Sequence, residues 1–273
     1  MKPRYRRRIV RYISLVLLAS FISITTFNGV AAESEPSAKG LEIAQERKAR
    51  DRGWNNSEAK ILMVLRNAQG QEATRKLNVK SMELTDDGDK ALTVFQSPRD
   101  VKGTAFLSFS HVFDADEQWI FLPALKRVKR IASKNKSGPF VGSEFAFEDM
   151  TSFEVEKFSY TYVGDETING EACFVLEQVP QYDYSGYTLQ KVWIDKSHYR
   201  VHKVEFYDKK GALLKVLELK DYELYKEKYW RPIRSEMTNV QTRKSTSLIT
   251  ESLVFDTDLS ESDFDKNSLK RAR

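Results

Sequence analysis

One cysteine and three histidines among 273 residues leave little material for disulfide, metal or thiol chemistry. A lone Cys173 closes no internal bridge, and zinc sites built on cysteine pairs are excluded. Its setting, Ala172-Cys173-Phe174-Val175-Leu176, is that of a small buried apolar side chain. His198 and His202 sit on neighbouring strand-like segments without an acidic or cysteine partner at a metal-binding spacing, and His111 stands alone, so no metal and no cofactor is expected. Also missing are a Gly-x-Ser-x-Gly elbow, a Walker loop and a Gly-x-Gly-x-x-Gly turn after a strand; Gly142-Ser143-Glu144 is none of these. No catalytic residue is assigned, and the chain reads as a non-enzyme. With 39 acidic residues, an enzyme using dispersed carboxylates stays open as a third reading.

Long apolar runs are absent too, except at the start. Lys2, Arg4, Arg6, Arg7, Arg8 and Arg11 precede an uncharged run over 13–30 that ends in Val30-Ala31-Ala32. Basic residues, an apolar stretch and small residues in that order form a secretory signal peptide, cut after Ala32. A permanent anchor is the competing reading, but the densest apolar part, 13–24, is shorter than the ~20 residues a spanning helix needs. No cysteine follows the small residues, which argues against a lipid anchor. All six ionisable side chains of the signal are basic, so its removal leaves 38 Lys plus Arg against 39 Asp plus Glu. The net charge of +5 therefore belongs to the discarded segment and gives no support for nucleic-acid binding. The expected divisions are a signal at 1–32, a polar linker at 33–39 containing Pro36, and a single domain at 40–273 in the periplasm.

That domain opens with helix-forming composition over 41–50, with Ser37 as a cap and Gly53 as a stop. Its thin apolar content suggests a surface position. From Lys60 the pattern changes to short runs of Val, Ile, Phe, Tyr and Thr between turn clusters. Asp86-Asp87-Gly88-Asp89, Asn169-Gly170 and Lys209-Lys210-Gly211 divide pairs of such runs into hairpins. Ten or eleven strands with no helical stretch between them favour an antiparallel meander over βαβ units. Lys203-Val204-Glu205-Phe206 alternates and meets water on one side, whereas Ile61 to Leu65 and Trp119 to Leu122 are apolar at both parities and need cover on both faces.

Residues 133–150, SKNKSGPFVGSEFAFEDM, fit neither pattern. The segment is polar and then carries Phe140, Phe145 and Phe147, which suits either a functional lid or a loop whose phenylalanines plug the core. Aromatic residues also crowd the strand positions, either as core or as the lining of a cavity.

Six blocks in order resemble the LolA-like family of outer-membrane lipoprotein-sorting proteins, in its longer branch found with RND-type exporters. They are VKGTAFLSF (101–109), QWIFLPALKRVKRI (118–131), GPFVGSEFAFEDM (138–150), SGYTLQKVWID (185–195), KKGALLK (209–215) and YWRPIRSEMT (229–238). The resemblance implies a mainly β fold, a strongly curved antiparallel sheet forming an incomplete barrel, with an N-terminal helix and a lid over an apolar cavity that receives acyl chains. Leu107, Phe109, Trp119 and Phe121 are the expected cavity wall, and Phe140, Phe145 and Phe147 the lid. Lys126, Arg127, Lys129 and Arg130 are the expected contact with an acidic headgroup or a partner, or else a solvated hairpin rim. A 16-carbon chain in water is disfavoured by on the order of 10 kcal/mol, so an apolar concavity with a removable lid suffices for a carrier. The expected partners are a lipid or lipoprotein cargo, an RND-type inner-membrane exporter, and a membrane met transiently. An adaptor whose cavity is filled by its own side chains is the alternative.

Overall fold

The computed structural model describes residues 34–267 and 269–272. The expected signal at 1–32 and its cleavage point lie outside them. Helix α1 (Glu35–Arg50) starts earlier than expected, so most of the polar stretch 33–39 forms its first turn rather than a linker. Pro36 is tolerated there because backbone N–H groups in the first turn have no helical acceptor. Nor does the helix lie loosely on the surface, since Ile43 and Ala44 are buried in the main core. Gly40 makes this possible: a Cβ at that position would stand 3.0 Å from the backbone nitrogen of Tyr162, so only glycine lets the helix seat on the strand beneath.

Thirteen strands follow among the described residues: β1 (Asn56–Arg66), β2 (Glu72–Met82), β3 (Lys90–Ser97), β4 (Ala105–Phe109), β5 (Glu117–Leu122), β6 (Arg127–Arg130), β7 (Phe158–Ile168), β8 (Glu171–Pro180), β9 (Leu189–Asp195), β10 (Val201–Tyr207), β11 (Leu213–Tyr225), β12 (Tyr229–Asn239) and β13 (Lys244–Phe255). All pair antiparallel in one sheet, in the order β6-β5-β4-β3-β2-β1-β13-β12-β11-β10-β9-β8-β7. Every neighbour is consecutive in sequence except β1 and β13, whose pairing joins two meanders into one sheet. The Asn169-Gly170 turn between β7 and β8 has positive φ at both residues, 52° and 86°, the geometry that matches strand twist in tight hairpins. β6 is missing from the expected strands because three of its four residues are charged and exposed, a pattern that blunts a sheet edge.

The sheet is not closed: β6 and β7 are its two ends, and residues 131–157 connect them. This crossing segment touches β2 through Arg75, β5 through Gln118, β11 through Lys215, β12 through Asn239 and β13 through Thr246. Strands so far apart in the order meet one short segment only because the sheet curls around it, which is the incomplete barrel the sequence resemblance implies. Its inner face carries Met63, Leu77, Phe95, Phe106, Leu176, Ile194 and Met237. On part of the outer face Met82, Leu92, Val94, Leu107 and Trp119 are covered by Phe264 and Leu269 from the C-terminal segment.

Candidate functional site

The period of two along a strand decides what the crossing segment covers. Phe106 and Leu107 are adjacent, so their side chains leave opposite faces of β4. Phe106 points inward, where the ring of Phe140 packs at 5.1 Å and that of Phe147 at 5.6 Å. Phe95 completes the cluster at 5.9 Å from Phe140. Phe140 has no exposed surface and Phe145 is 5% exposed, so both are seated in the core rather than resting on it.

The expected wall and the expected lid therefore do not meet. Leu107, Phe109, Trp119 and Phe121 share one face, as Leu107 pairs with Trp119 and Ala105 with Phe121, but it is the outer one. There Phe109 and Trp119 stack edge-on at 5.2 Å beneath the C-terminal segment. The residues facing the lid are those of the other parity, Phe106 and Ile120 together with Phe95, Leu77 and Met63. Each strand run is apolar on both faces, so the sequence pattern alone gave no sign of which parity turned inward. Lys126, Arg127, Lys129 and Arg130 are exposed at the β5–β6 hairpin, where Arg130 pairs with Glu117 at 2.9 Å and Leu125 at the turn is half exposed. The histidines lie apart: His111 contacts Asp87 at 2.6 Å, His202 contacts Asp195 at 3.1 Å, and His198 packs on Trp230.

Between lid and sheet lies a cavity of about 300 Å³ lined by Ile61, Met63, Leu77, Phe106, Phe140 and Met150, with Asp89, Lys90, Thr93, Ser108 and Asp149 among the polar residues at its margin. It sits at the lower end of the roughly 300–1,000 Å³ typical of small-molecule pockets, and most of the surface it exposes is apolar. A larger depression of about 1,030 Å³ opens on the outer face, but Glu58, Lys60, Lys80, Asp258 and Asp263 line it, which does not suit an acyl chain.

Polar groups that no sequence motif announces pin the crossing segment. Lys215 Nζ is 2.6 Å from Asp149 and donates to the Glu144 carbonyl at 3.0 Å. Glu148 accepts from Ser185 at 2.8 Å, Tyr182 at 3.1 Å and the Gly186 backbone at 2.7 Å; burial raises its carboxyl above the ordinary range against these bonds. Lys48 meets Glu154 at 3.0 Å, Lys157 pairs with Asp116, and Arg75 donates to the Val141 carbonyl. One signal was readable: Lys215 shares a parity with Leu217 and Leu219, a charge on the apolar face of β11. Asp89 was hidden inside a turn cluster. Its buried Oδ1 accepts no hydrogen bond from the described residues, and burial lifts its carboxyl to about 6.

Relatives share this architecture. A crystal structure of a domain from Vibrio parahaemolyticus, described as an outer membrane lipoprotein-sorting protein, is 60% identical with a TM-score of 0.85, covering 86% of this chain and all of that one. A DUF1329 family protein from Desulfovibrio piger matches over the same shares at 26% identity and a TM-score of 0.82. A LolA superfamily protein from Nitrosomonas europaea, 19% identical with a TM-score of 0.66 over 86% of this chain and 99% of that one, shares the fold. A family model described only as an uncharacterized protein matches residues 87–271. No curated protein matches the sequence. The order of the strands, the helix seated at one end and the 60% identity over most of the chain together place it: the protein belongs to the LolA-like family of outer-membrane lipoprotein-sorting proteins.

Proposed function

We propose that the chain is a periplasmic carrier, exported by its signal and cut after Ala32, that takes acyl chains of a lipid or lipoprotein between the inner face of the sheet and the segment 131–157 and shuttles them between membranes. The observation that carries this reading is the seal. An apolar interior is closed by one connecting segment, held by its own buried phenylalanines and by polar groups, and not by further strands. That segment also stores strain at its tip. Val141 sits at φ 47°, a left-handed conformation costly for a β-branched residue, and Arg75 holds its carbonyl there. A strained segment over an apolar interior gains by moving when a cargo chain offers to replace its phenylalanines. The exposed basic hairpin, Lys126 to Arg130 with Leu125 at its tip, suits transient contact with an anionic membrane or docking on an RND-type exporter.

A second reading draws on the same phenylalanines. With Phe140 and Phe145 buried, the interior is nearly filled by the chain itself, which would suit an adaptor of an exporter complex that carries nothing. Mass spectrometry of the protein purified from its native host separates the two. A stoichiometric acylated compound, displaced by a fluorescent fatty acid, supports the carrier; no bound lipid and no probe uptake leaves the adaptor.

A further inference from the structure

The apolar cavity adjoins a polar groove. Trp54, Asp89, Thr151 and Ser152 line the cavity and also an open groove of about 400 Å³ at the surface between the end of α1 and the β9–β10 and β11–β12 turns. The groove wall carries six cations: Arg47, Lys48, Arg50, Arg200, Lys228 and Arg231. Lys48, Arg50, Arg200 and Arg231 each hold a carboxylate at 3.0 Å or less. Among the described residues Arg47 and Lys228 have none. Among the described residues Lys228 donates to the Arg52 carbonyl alone, at 2.6 Å. Arg47 lies half-buried over the ring of Phe153 at 4.0 Å and makes no hydrogen bond to any described residue. A guanidinium has five N–H donors in a planar fork, and those of Arg47 are taken by no described residue, so the fork is free to receive an anion.

Inside the mouth the shortage reverses. Asp89 Oδ1 and Ser108 Oγ are buried without a hydrogen-bond partner among the described residues, and Ser108 is 1% exposed. A hydroxyl or amide N–H at that depth would satisfy Asp89. Apolar chain, then donor, then anion is the order of groups along an acylated amphiphile.

We infer that this groove is the headgroup site for an anionic amphiphile, whose phosphate or carboxylate meets Arg47 and Lys228 while its chain enters the cavity beneath Phe140, its polar linkage lying against Asp89. The inference rests on the carrier reading and names the class of cargo that reading leaves open.

The test compares two probes with the same 14-carbon chain, an anionic lysophosphatidylglycerol and a zwitterionic lysophosphatidylcholine, on the full mature protein by titration calorimetry. Wild type is expected to prefer the anionic probe by about tenfold or more, ~1.4 kcal/mol, with the preference shrinking as salt is raised. Arg47→Gln and Lys228→Gln should each cut that ratio severalfold. Arg47→Lys should keep part of it, and Arg66→Gln, which removes a surface charge elsewhere, should leave it unchanged. Lys228 is exposed, so its variant keeps the test decisive if Arg47→Gln proves unstable. Equal affinity for both probes in wild type overturns the headgroup site while the carrier reading stands. Binding of neither probe overturns both. Displacement of the anionic probe by inorganic phosphate at comparable concentration would mark the groove as a site for the free anion and also overturns the inference.

Discussion

Replacing Asp89 by Asn isolates the cost of a buried charge at the mouth of the cavity. The carboxyl rises from 3.8 to about 6, first through burial, with Lys48 opposing and Glu154 adding. Above pH 6 the group is ionised in the folded and the unfolded chain alike, and folding must bury the charge. Below pH 3.8 it is neutral in both and the cost vanishes. The difference between those two values corresponds to about 3 kcal/mol, lost by the folded protein as pH climbs from about 4 to about 6. Asparagine has nearly the same shape and no titration. Asp89→Asn should therefore match wild type near pH 4 and exceed it by about 2–3 kcal/mol at pH 7.5. Urea unfolding of both proteins at several values of pH measures this, and the other carboxylates cancel in the difference. A gap that does not change with pH, or an asparagine variant weaker at pH 7.5, would refute the burial argument.

Lys215→Met leaves the buried Asp149 without its partner and should cost about 3–5 kcal/mol in urea unfolding; Lys215→Met with Asp149→Leu should recover much of it, and a double variant as weak as the sum of both singles would show that the pair is not what pins the segment. Phe145→Ala empties a core position and should also cost about 3–5 kcal/mol, whereas a loss under about 1 kcal/mol would mean that the ring lies at the surface. Reductant should leave the melting temperature unchanged, because Cys173 is buried and has no internal partner. Burial lifts its thiol to about 11, so alkylation at pH 8 should be slow in the native protein and fast in urea; rapid native labelling would refute that placement.

The meander was legible because its signals are local. Asn169-Gly170 permits positive φ by side-chain chemistry alone, and Lys203-Val204-Glu205-Phe206 declares its two faces by alternation. The crossing segment was also marked as unlike its surroundings, though lid and plug were not distinguished. What sequence withheld is long-range. Leu107 and Phe106 are equally apolar, and only the curl of the sheet and the return of Phe264 and Leu269 decide which one meets the lid. The groove cations come from α1, from the β9–β10 turn and from β12 and the turn before it, so no spacing rule joins Arg47 to Lys228. The helix was read as peripheral because one glycine, which adds nothing to apolar content, is what seats it.

A carrier must release what it binds, and the plug supplies a physical reason why it can. Burying a phenylalanine side chain is worth about 1.5–3 kcal/mol, so Phe140, Phe145 and Phe147 together hold the segment down by roughly 5–9 kcal/mol. An acyl chain of a dozen buried methylenes gains on the order of 10 kcal/mol. On the proposed reading a chain longer than the cavity accommodates enters by displacing the rings, so the net gain is the small difference between two large terms of the same kind. Strain at Val141 favours displacement, whereas Lys215, Asp149 and Glu148 favour return, because opening separates buried partners. A fully empty apolar cavity would bind the same chain with the whole of its transfer free energy and hold it too tightly to pass on. Filling the interior with the protein's own phenylalanines lowers the affinity without narrowing the range of chains accepted, since displaced rings distinguish poorly between one alkyl tail and another. On that reading selectivity falls to polar groups that the plug does not occupy: among the described residues Asp89 Oδ1 accepts no hydrogen bond, and Arg47 and Lys228 hold no carboxylate.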